Sequence, residues 1–321
     1  MKNVYLAQFS TVSLDTYYFF PYSVGLIQSY AHSVPIIAKN YDLKPLLWKK
    51  LPIDELVNSL DNPAVFGFSS YVWNANYNLQ LAKAVKARYP ECIIVFGGPG
   101  VPDADADFFV NHPWVDYLIH TEGEQSFANL LETLLKGPCK THVAIPSNRT
   151  KSLDTIPSPY LSGVFDSVLA EAAEQKVIIN ALLETNRGCP FKCTFCCINA
   201  PFERNTIRFW SAKHIFNQIK TLVEDHGIFN IKIPDEMFVL NPKQVTEICD
   251  EIISSGYGKD LNFWAYARID TLEDNIMLEK MIKSGFKWLG LGIESSNPNV
   301  RDGVVKGRFS NYDIEGVVKK V

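Results

Sequence analysis

The chain has 321 residues, 47% hydrophobic and 21% charged. That balance excludes a disordered or fibrous chain and, at roughly 150 residues per domain, suggests two domains. Its 31 basic and 35 acidic residues give a net charge of −4, which leaves no basic footprint for nucleic acid or an anionic membrane surface. No window nears 18 uninterrupted apolar residues and the N-terminus lacks a signal-peptide pattern, so a cytoplasmic protein is expected.

Residues 1–136 alternate short β-rich runs with amphipathic helical patterns. Strands are predicted at 4–9, 43–48, 64–72, 92–97 and 115–120, and helices at 22–32, 53–60, 78–89, 104–111 and 124–135. Leu81, Ala82, Val85 and Tyr89 fall at helical spacing. Ile93, Ile94, Val95 and Phe96 form an unbroken apolar run, as in a strand covered on both faces. Strands separated by helices predict a doubly wound, parallel α/β sheet.

Between 137 and 176 proline and glycine punctuate the chain, and a linker is expected there. A second alternation runs from 177 to 321, with strands at 177–184, 230–234, 261–267 and 288–293. Its helices are expected at 212–224, 243–254, 275–284 and 311–321. This is again a parallel arrangement.

Four of the seven cysteines, Cys189, Cys193, Cys196 and Cys197, crowd a loop directly after the first strand of this half. In a reducing compartment such a cluster points to a metal, whereas Cys92 and Cys249 sit in apolar runs as small core residues. Three thiolates at the spacing Cys-x3-Cys-x2-Cys can each bind one iron of a cubane cluster and leave the fourth iron open. A structural zinc site is the alternative, with Cys197 or a distant histidine as fourth ligand. Adjacent cysteines rarely share one zinc, however, and no second Cys-x2-Cys follows at ribbon spacing.

With this loop after a strand, the chain resembles the radical SAM superfamily. The resemblance implies a partial (β/α)6 barrel whose open iron, in a [4Fe-4S] cluster on Cys189, Cys193 and Cys196, chelates S-adenosylmethionine (SAM). It implies further that Phe195 lies beside the adenine and that Glu236, within Pro234-Asp235-Glu236, holds the amino group. Asp235 is the less certain of the two acids. Arg268 would fork onto the SAM carboxylate, and Glu294 and Ser295 would contact the methionine or ribose. These residues follow three successive strands, where barrels of this kind place their chemistry.

The first half resembles the cobalamin-binding domain that precedes the barrel in a large branch of that superfamily. The resemblance rests on Ser69, Ser70, Trp73 and Asn74 after one strand, Gly97 and Gly98 after the next, and Glu122 and Gly123 before a helix. It implies that these residues hold cobalamin, with Trp73 bordering the corrin's lower face. None of the six histidines fits an Asp-x-His-x-x-Gly motif, so a histidine ligand to cobalt is not expected.

The fold expected is therefore a Rossmann-like cobalamin-binding domain at 1–136, a linker at 137–176, and a radical SAM barrel at 177–321. The activity implied is cobalamin-dependent radical methyl transfer to an unactivated carbon of a small-molecule or peptide substrate, with a flavodoxin or ferredoxin as electron donor. A rearrangement or other radical modification without cobalamin methyl transfer is the second expectation, and a non-catalytic iron–sulfur or cobalamin carrier the third. At about 35 residues per strand–helix unit, six units need roughly 210 residues, and 145 follow residue 176. The barrel is thus expected to be incomplete, broken off after its fourth unit, in a piece of a longer protein.

Overall fold

The structure, a computed structural model, describes residues 1–10, 17–102, 105–137, 139–146, 148–191, 193–196, 207–305 and 310–320. It divides into two compact units. One holds Met1–Thr150 with Thr155–Ile179, and the other Lys151–Asp154 with Asn180–Val321.

In the first unit the chain order is β1 (Lys2–Ala7), β2 (Tyr17–Phe19), α1 (Tyr22–Ser33), α2 (Pro35–Asn40), β3 (Tyr41–Leu43), α3 (Ile53–Ser59) and β4 (Pro63–Ser69). Then come α4 (Ala75–Arg88), β5 (Ile93–Gly97), α5 (Asp105–Asn111), β6 (Tyr117–Ile119), α6 (Glu124–Leu135), β7 (Val143–Ile145) and α7 (Asp166–Glu174). Six strands form one sheet in the order β3-β1-β4-β5-β6-β7, every pairing parallel. The expected apolar run lies in β5, where Ile94, Val95 and Phe96 are buried. One face of the sheet carries a core of Phe66, Phe68 and Phe96 packed under Leu56, Leu81, Val85 and Phe109 of α3, α4 and α5. Phe66 stacks on Phe68 at 4.3 Å and Phe68 on Phe96 at 4.9 Å.

From β1 the chain passes out to β3 on one side, then crosses back to β4 on the other side of β1. The gap between the C-terminal ends of β1 and β4 is therefore the topological switch point, where such sheets bind ligands.

Two details differ from the sequence expectation. The strand predicted at 43–48 forms earlier, as β3, because Pro35 opens a short helix that delivers Tyr41 to the edge of β1; Leu47 then makes one isolated bridge to Ala7. The stretch 137–176 holds more than a linker: β7 extends the sheet beside β6, and Val168 and Ala172 of α7 are buried. Its prolines and glycines mark turns between elements.

The second unit follows the predicted alternation. It comprises β8 (Ile178–Leu182), β9 (Asn186–Arg187), β10 (Arg208–Phe209), α8 (Ala212–Glu224), β11 (Asn230–Lys232), α9 (Pro242–Ser255) and β12 (Asn262–Ala267). After these come α10 (Asn275–Lys283), β13 (Phe286–Leu291), α11 (Pro298–Val300) and α12 (Asn311–Lys320). β8, β11, β12 and β13 lie side by side, all parallel, and β9 pairs antiparallel with β10. Local chemistry sets the helix ends. Ser211 caps α8 by accepting from the His214 N–H, and Asp274 caps α10 by accepting from Ile276 and Met277. Asn241 caps α9, Pro242 opens it, and Gly256 closes it at φ +79°. No helix among the described residues is long and apolar enough to cross a membrane.

Candidate active site

In the second unit four loops, each following one of the parallel strands, converge. The first bears the cysteines. Cys189, Cys193 and Cys196 are partly exposed, and the Cys196 N–H closes a turn onto the Cys193 carbonyl at 3.2 Å. Phe195, at the tip of that turn, is 57% exposed, which leaves an aromatic face open beside the third cysteine. Cys197 lies outside the described residues.

Electrostatics register what surrounds the thiols. Burial pushes Cys189 up, against a hydrogen bond from the Phe191 backbone that draws it down, and the negative charges of Glu236, Cys193 and Cys196 add to the rise. Burial also raises Cys193; Arg268 opposes it, while Cys196 and Glu294 reinforce it. Residues from the loops after β11, β12 and β13 thus lie within electrostatic reach of the cysteine loop, Glu236 of Cys189 and Arg268 and Glu294 of Cys193.

The donor chemistry fits an iron–sulfur cluster, with three thiols in one short loop and Arg268 drawing Cys193 towards the thiolate against its burial. Among the described residues no three cysteine, histidine or acidic side chains stand gathered as a metal cage.

The two acids after β11 part company. Glu236 is exposed, on the Cys189 side. Asp235 is 3% exposed and turned inward, where it accepts from the Thr185 N–H at 2.9 Å, the Thr185 hydroxyl and Asn186 Nδ2 at 2.9 Å. Burial holds its carboxyl well above the usual range, although these donors pull it down.

Arg268 is buried and lies 3.8 Å over the Phe191 ring. Its fork is engaged by Asp270, through Nε to Oδ1 at 2.9 Å and Nη2 to Oδ2 at 2.8 Å, rather than pointing open to a carboxylate as the sequence suggested. Glu294 adopts φ +62°. That strained backbone is of the kind that collects at functional sites. Ser295 accepts at its carbonyl from Arg301 Nη1 at 3.1 Å, and its hydroxyl receives the Asn297 N–H at 3.1 Å.

In the first unit the residues expected to hold a cofactor gather at the ends of β4, β5 and β6, but they divide by exposure. Trp73 is 47% exposed and stacks on Tyr71 at 4.5 Å, next to Val72 at 89%. Together they make an apolar shelf beside the switch point. Asn74 is fully buried, and its Nδ2 donates to Phe9 O at 3.1 Å and Ser69 O at 3.0 Å while its Oδ1 accepts from the Tyr71 N–H at 2.8 Å. It ties β1 to β4 and shapes the loop from within.

Ser69 and Ser70 are also buried. The Ser69 hydroxyl lies 3.0 Å from that of Ser23, which donates to Gln8. Gly97 and Gly98 close against them: the Ser70 N–H reaches Gly97 O at 2.7 Å, and a Cβ on Gly98, at φ +91°, would stand 2.9 Å from Ser70 O. Gly98 is thus required for packing of loop on loop, independent of any ligand, whereas a Cβ on Gly97 would meet only Ile119 at ordinary contact distance. Gly123 abuts Ile27, Thr121 before it takes φ +63°, and Glu122 has partners within the fold.

Sequence reasoning did not single out Phe191, Asp270, Thr185, Asn186 or Tyr71 for a role. An acid two residues beyond Arg268 was a visible signal; the partners of Asp235 lie 49 and 50 residues away and gave none.

Residues 183–319 match the family model described as the radical SAM superfamily. The chain is 34% identical over 249 residues to the cobalamin-dependent radical SAM methyltransferase TokK of Streptomyces tokunonensis, covering 73% of this chain and 36% of that protein. It is equally similar to the 2-(S-pantetheinyl)-carbapenam-3-carboxylate methyltransferase of Streptantibioticus cattleyicolor, at 34% over 248 residues with the same coverage. At 26% over 242 residues it resembles the anaerobic magnesium-protoporphyrin IX monomethyl ester cyclase of Rubrivivax gelatinosus, over 70% of this chain and 42% of that one. The chain therefore spans about a third to two-fifths of the length of these relatives. With the cysteine loop, the four parallel strand–helix units and the family match in agreement, this chain belongs to the radical SAM superfamily.

Proposed function

We propose that this protein is a cobalamin-dependent radical SAM methyltransferase acting on a small molecule. The observation that carries the reading is the cysteine loop after β8, with Arg268 lying 3.8 Å over its Phe191 ring and with Glu236, Arg268 and Glu294 within electrostatic reach of Cys189 and Cys193. When bound, a reduced cluster supplies the electron that cleaves SAM, and cobalamin supplies the carrier for the methyl group.

The chain's own residues bind and orient. Cys189, Cys193 and Cys196 hold the cluster as thiolates. Glu236 takes the SAM amino group, Arg268 provides the positive charge for its carboxylate, and Glu294 with Ser295 meets the methionine or ribose. Exposed Phe195 offers a face for adenine. Asp270 and Phe191 keep the guanidinium oriented beside the thiols, a task that suits arginine and not lysine.

In the first unit the Tyr71-Val72-Trp73 shelf supplies the flat apolar surface a corrin needs at the switch point, above a floor shaped by Ser69, Ser70, Asn74, Gly97 and Gly98. Glu122 and Gly123 border it. The name of the TokK relative, a cobalamin-dependent enzyme, supports this assignment, and that of the carbapenam relative supports methyl transfer. The protein works in the cytoplasm, and a flavodoxin or ferredoxin supplies its electron.

A second reading, radical ring closure or rearrangement without methyl transfer, is favoured by the similarity to the cyclase. One experiment separates the two. The protein is reconstituted with iron, sulfide and hydroxocobalamin, reduced, and given SAM carrying a deuterated methyl group. Methyl transfer predicts deuterated methylcobalamin by mass spectrometry. It also predicts corrinoid binding weakened about tenfold, ~1.4 kcal/mol, in Trp73→Ala, which removes the stacking surface. Deoxyadenosine formed without corrinoid binding would overturn the methyl-transfer reading in favour of the second.

A further inference from the structure

Next to Glu236 sits a buried acid with no part in holding the cluster or SAM. Asp235 receives donors from Thr185 and Asn186, and Asn186 Nδ2 donates also to the Met237 carbonyl at 3.0 Å. These bonds form a polar clasp between residues 185–186, at the root of the cysteine loop, and residues 235–237, which carry the exposed acid facing Cys189. Both Thr185 and Asn186 are themselves buried.

A buried carboxyl is a costly way to join two loops. Apolar residues would pack them at less expense, but without fixing direction. A carboxyl gripped from several sides fixes both distance and orientation. Here the joined loops carry the first cluster cysteine, three residues beyond Asn186, and the acid beside it.

We propose that Asp235 is a positioning residue: it locks the root of the cysteine loop to the loop of Glu236 and so sets where Glu236 stands against Cys189. This rests on reading the second unit as a cluster and SAM site. Its consequence is that Asp235 governs SAM affinity at the cluster, although it touches neither.

The test follows the electron paramagnetic resonance signal of the reduced, reconstituted protein as SAM is added. Asp235→Asn keeps the size of the side chain but turns one acceptor into a donor facing donors. Iron content and far-UV circular dichroism are expected to match the wild type, while the SAM concentration for half-maximal change of the signal rises by about 10- to 100-fold. Thr185→Val, which deletes one donor and keeps the shape, shifts it in the same direction by less. Thr185→Ser, which restores the hydroxyl, titrates as the wild type.

If Asp235 serves only as scaffold, the Asp235→Asn protein melts earlier but its loaded fraction titrates with SAM as the wild type does; that result overturns the proposal and leaves the cluster reading standing. Should Asp235→Asn fail to fold, Thr185→Val decides, and a wild-type titration there is equally fatal. Wild-type protein that takes up no iron removes both the proposal and the reading beneath it.

Discussion

Several side chains at the candidate site hold its shape. Asn74 and Asp235, both at strand ends and both readable from sequence as ligand-facing, turn inward and organise the loops around them. Trp73 and Phe195, by contrast, leave their rings in solvent. Residue type and position gave the same signal for both groups, because only the three-dimensional partners decide which way a polar side chain at a strand end turns. Gly98 makes the point quantitatively. Its φ of +91° and the 2.9 Å approach of Ser70 O to any added Cβ leave no room for alanine. Gly98→Ala is expected to destabilise the first unit by about 1–3 kcal/mol, measured by urea denaturation; an unchanged midpoint would show that the loop yields freely.

At the scale of elements, the parallel strands were legible because strands covered on both faces read as continuous apolar runs. What escaped was short. β7, β9, β10 and α2 are each six residues or fewer, too brief for periodicity to register, and α7 lies in a stretch dominated by turn residues. β5 offers a test of how dry its core is. Cys92, just before it, is 1% exposed, and burial raises its thiol from 9.0 to about 12. The folded state therefore keeps the proton where the unfolded chain releases it. The stability this contributes is complete below pH 9 and drains away as pH rises from 9 towards 12. Across that window the wild type is expected to lose stability with a slope steeper than Cys92→Ala by up to one proton, ~1.4 kcal/mol per pH unit. Parallel slopes in urea melts at stepped pH would show that Cys92 is hydrated.

Over the whole molecule, each of the two units sets its candidate residues beyond the C-terminal ends of parallel strands, where the rule for such sheets looks for chemistry. The cysteine loop was the most legible feature, since its ligand spacing is covalent and survives any uncertainty about packing. The contacts of Arg268 with Phe191 and of Asp235 with Thr185 were not legible, because they join loops distant in sequence. In the proposed function the thiols of Cys189, Cys193 and Cys196 hold an open-iron cluster that cleaves SAM. Its most direct test is deoxyadenosine released from SAM by the anaerobically reconstituted, reduced protein. Release is expected from the wild type and none from Cys189→Ala, Cys193→Ala or Cys196→Ala. A wild type that binds zinc through these cysteines and releases no deoxyadenosine would contradict it.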